Sequence, residues 1–112
     1  MTSTLDYRPR RLRQHEPLRA LIRETRLASD QLVMPLFVRP GRNVRAAISS
    51  LPGQAQLSVD QAVKECQDLY GSGVPAVLLF GVSDRKDERG ESAYAKDGIV
   101  QQAVRAIKAQ TP

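Results

Sequence analysis

Four lysines, one cysteine and one histidine are the side chains best suited to covalent or proton-transfer chemistry in this sequence. A lysine that forms a Schiff base must be neutral at working pH, and apolar burial is what lowers its pKa. Lys64 and Lys108 fall on the polar faces of predicted helices, and Lys86 and Lys96 lie in a charged loop. Lys108 has apolar neighbours in Ile107 and Ala109 but lies on a polar helix face, and no lysine is assigned to catalysis. Cys66 sits on an apolar helix face and reads as a small core hydrophobe. A zinc site needs three or four ligands, and there is no second cysteine. His15 lies between Gln14 and Glu16, with no serine elbow or nearby thiol to make a triad. The segment Asp84-Arg85-Lys86-Asp87-Glu88-Arg89 alternates acids and bases. Its carboxylates could ligate Mg²⁺, but the interleaved cations argue against a preformed site, and a solvated loop is the plainer reading. Gly71-Ser72-Gly73 has G-x-G spacing, yet it follows a helix and precedes a strand. Phosphate cradles need the reverse order, so this is a helix stop. The catalytic and metal-ligand sets within this chain are therefore both empty.

The elements around these residues follow from periodicity. Ala76-Val77-Leu78-Leu79-Phe80 is an apolar run short enough for a buried strand. It ends at Gly81, and a long polar loop leads to an amphipathic helix near Asp97. Strand, long loop, helix is the order in which a β/α barrel carries its chemistry, and this loop exceeds the usual two to six residues. Upstream, residues 1–14 are polar and expected to be extended. Residues 16–25 suit a short helix with Pro17 in its first turn. Leu32 to Val38 form a first strand, with Pro35 an awkward member. Residues 43–56 read as a long connection with a turn at Leu51-Pro52-Gly53.

Ser58 and Gln61 have capping-box spacing before a helix that ends near Tyr70, with Gly71 as its stop. Ala62, Val63, Cys66, Leu69 and Tyr70 form its buried stripe. Ile99, Val100, Ala103, Val104 and Ile107 form the core face of the last helix.

Charge is segregated. Residues 1–45 hold ten arginines and four acids, a net of +6, whereas residues 46–112 net −1. A basic arm can meet nucleic acid, an anionic membrane or an acidic protein surface. No aromatic platform accompanies the arginines, so nucleic acid is not expected. No apolar stretch is long enough to span a membrane. A lone cysteine fits a reducing compartment, and a cytoplasmic location is expected.

Several motifs in order also carry a family resemblance. Arg8-Pro9-Arg10-Arg11-Leu12-Arg13, Met34-Pro35-Leu36-Phe37-Val38, Ile48-Ser49-Ser50-Leu51-Pro52-Gly53 and the stretch from Leu79 to Gly98 resemble the N-terminal third of 5-aminolevulinate dehydratase, or porphobilinogen synthase. The resemblance implies an enzyme that condenses two 5-aminolevulinate molecules to porphobilinogen in heme biosynthesis. It implies two Schiff-base lysines and a zinc or magnesium requirement, with those elements beyond the matching region. It further implies that Arg8, Arg10, Arg11 and Arg13 contact a neighbouring subunit in an octamer-like homo-oligomer. Phe80, at the carboxyl end of its strand, is expected either to wall the substrate pocket of such a barrel or to pack in the core. Ala93-Tyr94-Ala95-Lys96-Asp97-Gly98 departs from the family's Ala-Tyr-Asn-Pro-Asp-Gly, which leaves Asp97 as the expected N-cap.

The fold class expected is α/β: a basic arm over residues 1–14, then residues 15–112 as the first βα units of a (β/α)8 barrel, incomplete in this chain. A closed barrel takes about 250 residues, so 112 residues should leave open strand edges and one uncovered sheet face. The chain by itself should be inactive and marginally stable. The alternative function is a non-catalytic module whose arm holds a protein partner or nucleic acid.

Overall fold

The computed structural model describes residues 9–83 and 88–112. Arg8 and the greater part of the 84–89 charge cluster, Lys86 included, lie outside the described residues.

A four-stranded sheet carries the structure, in the spatial order β2-β3-β1-β4. Strand β1 (Val33–Val38) runs parallel to β4 (Ala76–Gly81) over six register pairs, from Val33↔Ala76 to Val38↔Gly81. On its other side β1 pairs with β3 (Ala55–Leu57) only at Phe37 and Val38. Pro35 therefore has an unpaired strand edge beside it, the setting in which a strand proline is tolerated. Strand β2 (Arg45–Ala47) is antiparallel to β3. The stretch 43–56 is thus a β-hairpin that joins the sheet, where the sequence suggested a plain connection. Its strands are three residues each, too short to show a periodicity of two.

Helix α2 (Val59–Gly71) returns the chain from β3 to β4, and α4 (Ile99–Gln110) follows β4. Both cover one sheet face. Leu36, Val38, Leu57, Ala62, Cys66 and Ala103 form the buried cluster between sheet and helices. Ala62 and Ala103 are fully buried, and their small side chains let α2 and α4 approach closely. Cys66 lies in this core as expected, and burial raises the pKa of its thiol, with Glu65 adding to the rise. Tyr70 and Val104, both expected in the core, are exposed. Val104 faces a groove it shares with Val77 and Leu79 beside the open edge of β4.

Helix ends differ instructively from expectation. The α2 stop is Gly73, not Gly71: its φ is +88°, its amide donates to the Tyr70 carbonyl, and the Val74 amide donates to Leu69. That is a Schellman motif with glycine at the left-handed position.

Ser58 occupies the N-cap of α2 but forms no capping box. Its buried hydroxyl accepts the Val44 amide at 2.9 Å and donates to the Asp60 carboxylate. The Asn43 amide also donates to Asp60, and the Gln61 side-chain amide donates to Asn43 Oδ1. These groups clasp the hairpin loop to the helix start. The Ser58 hydrogen bond holds the Asp60 carboxyl below its ordinary pKa, with the Asn43 amide adding to the effect. Ser58→Ala is expected to cost about 1–3 kcal/mol, because it leaves the half-buried Val44 N–H without its acceptor. A shift in the urea midpoint at unchanged slope would read this out; an unchanged midpoint would refute the clasp.

The arm is not wholly extended. Arg11–Arg13 form a 3₁₀ turn, and α1 spans Glu16–Ile22, three residues shorter than expected. Arg19 and Arg23 both pair with Glu16, and their hydrogen bonds and charge lower its pKa. No residue of α1 is buried, and Leu21 is 77% exposed. The radius of gyration is 21.3 Å, against about 13 Å for a compact domain of this length. Residues 9–22 thus project away from the sheet, with the apolar side of α1 uncovered.

Candidate functional site at the carboxyl ends of the strands

The sheet has two faces of different character. Met34, Leu36 and Val38 of β1 and Val77 and Leu79 of β4 lie against the helices. Strand alternation sends Val33, Pro35 and Phe37 to the opposite face, and their register partners Ala76, Leu78 and Phe80 go with them. No element among the described residues covers this second face. Val33 is 57% exposed, Leu78 53% and Phe80 45%. An apolar sheet face open to water is not a stable end point for a parallel sheet.

Phe37 and Phe80 stack at the carboxyl end of this face, ring centroids 5.4 Å apart and planes at 22°. Phe80 is thus half-open and held by a second aromatic. Gln56, the register partner of Phe37, points the same way. One step above, Arg39 donates from Nη1 to Gln56 Oε1 at 3.3 Å. Arg39 and Gln56 were not singled out from sequence. The signal was available, since Arg39 stands two residues beyond Phe37 and alternation places both on one face.

Residues 92–98 lie at the same end, beside Pro40 and Gly41. Glu91–Tyr94 form a single helical turn, α3. Side chains of α4 fasten it: Gln101 donates to the Ala93 carbonyl, Gln102 to Asp97 and Arg105 to Lys96. The N-cap of α4 is Gly98, not Asp97. A Cβ at residue 98 would lie 2.7 Å from the Ser92 carbonyl oxygen, so the close approach of α3 selects glycine. The loop and the β1 end bound a cleft of about 370 Å³ lined by Pro40, Gly41, Ser83, Asp97, Gly98 and Gln102.

Lys64, Lys96 and Lys108 are all exposed. His15 is exposed at the N-cap of α1, and Arg10, Arg11 and Arg13 are exposed along the arm. Among the described residues no three His, Cys, Asp or Glu side chains converge as a metal site would require. No described helix is long and apolar enough to cross a membrane.

The family model of delta-aminolevulinic acid dehydratase matches residues 6–112. The chain belongs to that family. A dehydratase of Ruminiclostridium josui is 48% identical over 105 residues, covering 94% of this chain and 51% of that protein. One from Synechococcus elongatus is 43% identical over 106 residues, covering 95% of this chain and 32% of its own length. The crystal structure of the Toxoplasma gondii dehydratase, in complex with the reaction product porphobilinogen, superposes with a TM-score of 0.81 at 33% identity. That match covers 94% of this chain and 30% of the Toxoplasma chain. The chain therefore spans between about a third and a half of the length of these dehydratases, with the mixed α/β fold they have in this part.

Proposed function

We propose that this chain supplies the basic arm and first βα units of a β/α-barrel porphobilinogen synthase, which condenses two 5-aminolevulinate molecules to porphobilinogen. The observation that carries this reading is the superposition on a family enzyme solved with porphobilinogen bound, over 94% of this chain. The open apolar face supports it, since barrel strands turn such a face inward onto layers of side chains. Strand edges also remain available: β3 occupies β1 only at Phe37 and Val38, and among the described residues no strand pairs with the far side of β4. Phe80 is the pocket wall this chain contributes, steadied by Phe37.

The Schiff-base lysines of the reaction come from the remaining part of the barrel. Such a lysine must lose its hydration to be nucleophilic, and Lys64, Lys96 and Lys108 stand in solvent. The zinc or magnesium ion of the family is not assigned to this chain, because its described residues offer no converging ligand set. The arm, with Arg10, Arg11 and Arg13 exposed, and the following helix α1, with Leu21 uncovered, are suited to wrap a second copy of the enzyme. A cytoplasmic setting fits a chain whose one cysteine is a buried thiol.

The test joins this 112-residue chain to the remaining two-thirds of the Synechococcus elongatus dehydratase. The folded hybrid is expected to form porphobilinogen from 5-aminolevulinate, measured by mass spectrometry, and the 112-residue chain alone to form none. Turnover by the chain alone, or a folded hybrid without product, would overturn the proposal.

A further inference from the structure

Arg39 is a half-buried cation for which the described residues supply no opposite charge. Its backbone amide donates to the Leu57 carbonyl at 2.8 Å, and the Val82 amide donates to Val38 at 2.8 Å. The ladder thus continues past the assigned strand ends, and alternation puts Arg39 on the same side of β1 as Phe37. Gln56 is the register partner of Phe37, and its Oε1 accepts from Arg39 Nη1 at 3.3 Å. That contact holds the guanidinium beside β3. Arg39 Nε is buried and makes no hydrogen bond. Among the described residues no ion pair includes Arg39: Glu16 takes Arg19 and Arg23, and Glu65 takes Arg45. Withdrawing a charge from water is costly unless an opposite charge meets it. A guanidinium cannot escape that cost by losing its proton. A closed barrel also has to lay another strand along β1, and β3 leaves the β1 edge free from Val33 to Leu36. The chain that arrives there shields Arg39 further from water. With Nη1 engaged by Gln56, Nε and Nη2 form the remaining edge of the planar fork. The complement of such an edge is a carboxylate held by two parallel hydrogen bonds.

We propose that Arg39 forms an ion pair with an aspartate or glutamate carried by the part of the barrel beyond residue 112. The inference rests on the functional reading above and adds to it a contact between this chain and the rest of the enzyme. Gln56 orients the guanidinium, and the incoming carboxylate takes Nε and Nη2. The pair ties β1 and the β2–β3 hairpin to the segment that closes the barrel. Arg39 is then a structural residue that does not touch the substrate.

The complete enzyme containing this chain provides the test. Arg39→Lys keeps a cation at the position and adds a primary amine. A carbodiimide joins an amine to a carboxylate only where the two touch. It is expected to link the substituted lysine to one Asp or Glu beyond residue 112, read by mass spectrometry of the digested enzyme against the unsubstituted one. Arg39→Met should lower the midpoint of urea unfolding. Removing the identified acid as well should cost less than the two separate losses added together, the mark of a shared interaction. Strictly additive losses, no coupling at residue 39, or coupling only to an acid within the 112-residue chain overturns the assignment. In an enzyme that still forms porphobilinogen, those results leave the functional reading standing. If the unsubstituted enzyme forms no porphobilinogen, the functional reading itself fails and the assignment fails with it.

Discussion

Leu36→Ala is expected to remove about 2–5 kcal/mol of stability, the range for truncating a buried leucine whose surroundings cannot collapse. Leu36 lies at the middle of β1, between β4 on one side and the short β3 contact on the other. It is 3% exposed and belongs to the cluster with Val38, Leu57, Ala62, Cys66 and Ala103. That cluster is small, and three of its members (Ala62, Cys66 and Ala103) have short side chains. Little volume is available to flow into a hole left by three missing heavy atoms, because α2 and α4 are already held close by their alanines. A small domain has roughly 5–15 kcal/mol in total, so one such loss takes a large share. The midpoint of urea unfolding in the complete enzyme measures it, with Lys64→Ala on the exposed face of α2 as a reference expected within about 0.5 kcal/mol. A Leu36→Ala loss below about 1 kcal/mol would mean that the sheet–helix interface is not the core described here.

Much of this interface was legible in the sequence, and the reason is length. Helix α2 and helix α4 are 13 and 12 residues long, enough for a 3.6-residue period to repeat three times. Strand β4 presents an apolar run between Pro75 and Gly81, and that of β1 closes at Arg39-Pro40. The hairpin β2–β3 was not legible, because three-residue strands carry no alternation and their pairing is decided by the Ser58–Asp60–Asn43 clasp, a tertiary arrangement. Capping misled for a related reason. Ser58 has the right spacing to Gln61, yet its hydroxyl is recruited by Val44 and Asp60, partners brought in by the hairpin. Asp97 was displaced by Gly98 because α3 approaches that point too closely for a side chain. At the site, Phe80 came from its place at the carboxyl end of a strand in a β/α barrel. Arg39 was missed because its significance depends on which face β1 leaves open, and that is settled by where α2 and α4 dock.

The open face itself yields the second large effect, Leu78→Asp, whose size should depend on what surrounds the sheet. Leu78 is 53% exposed and pairs in register with Pro35, in the middle of the uncovered apolar strip that runs from Val33 to Phe80. In the 112-residue chain an aspartate here stays hydrated, so the cost is limited to its poor strand preference, at most about 1 kcal/mol. It also interrupts an apolar patch, so self-association of the isolated chain should fall. In a closed barrel the same position points into the packed interior. There the carboxylate must either remain charged without a partner or take up a proton and still lack hydrogen bonds, and the loss should reach about 4 kcal/mol or more. Leu78→Ala should follow the same contrast at smaller amplitude, near zero in the isolated chain and about 2–5 kcal/mol in the complete enzyme. Sedimentation of the isolated chain and urea unfolding of the complete enzyme measure the two arms. A complete enzyme that tolerates Leu78→Asp with an unchanged midpoint would show that this face is not turned inward. That result would remove the physical basis for placing Phe80 and Arg39 at a barrel mouth, whatever the enzyme's turnover.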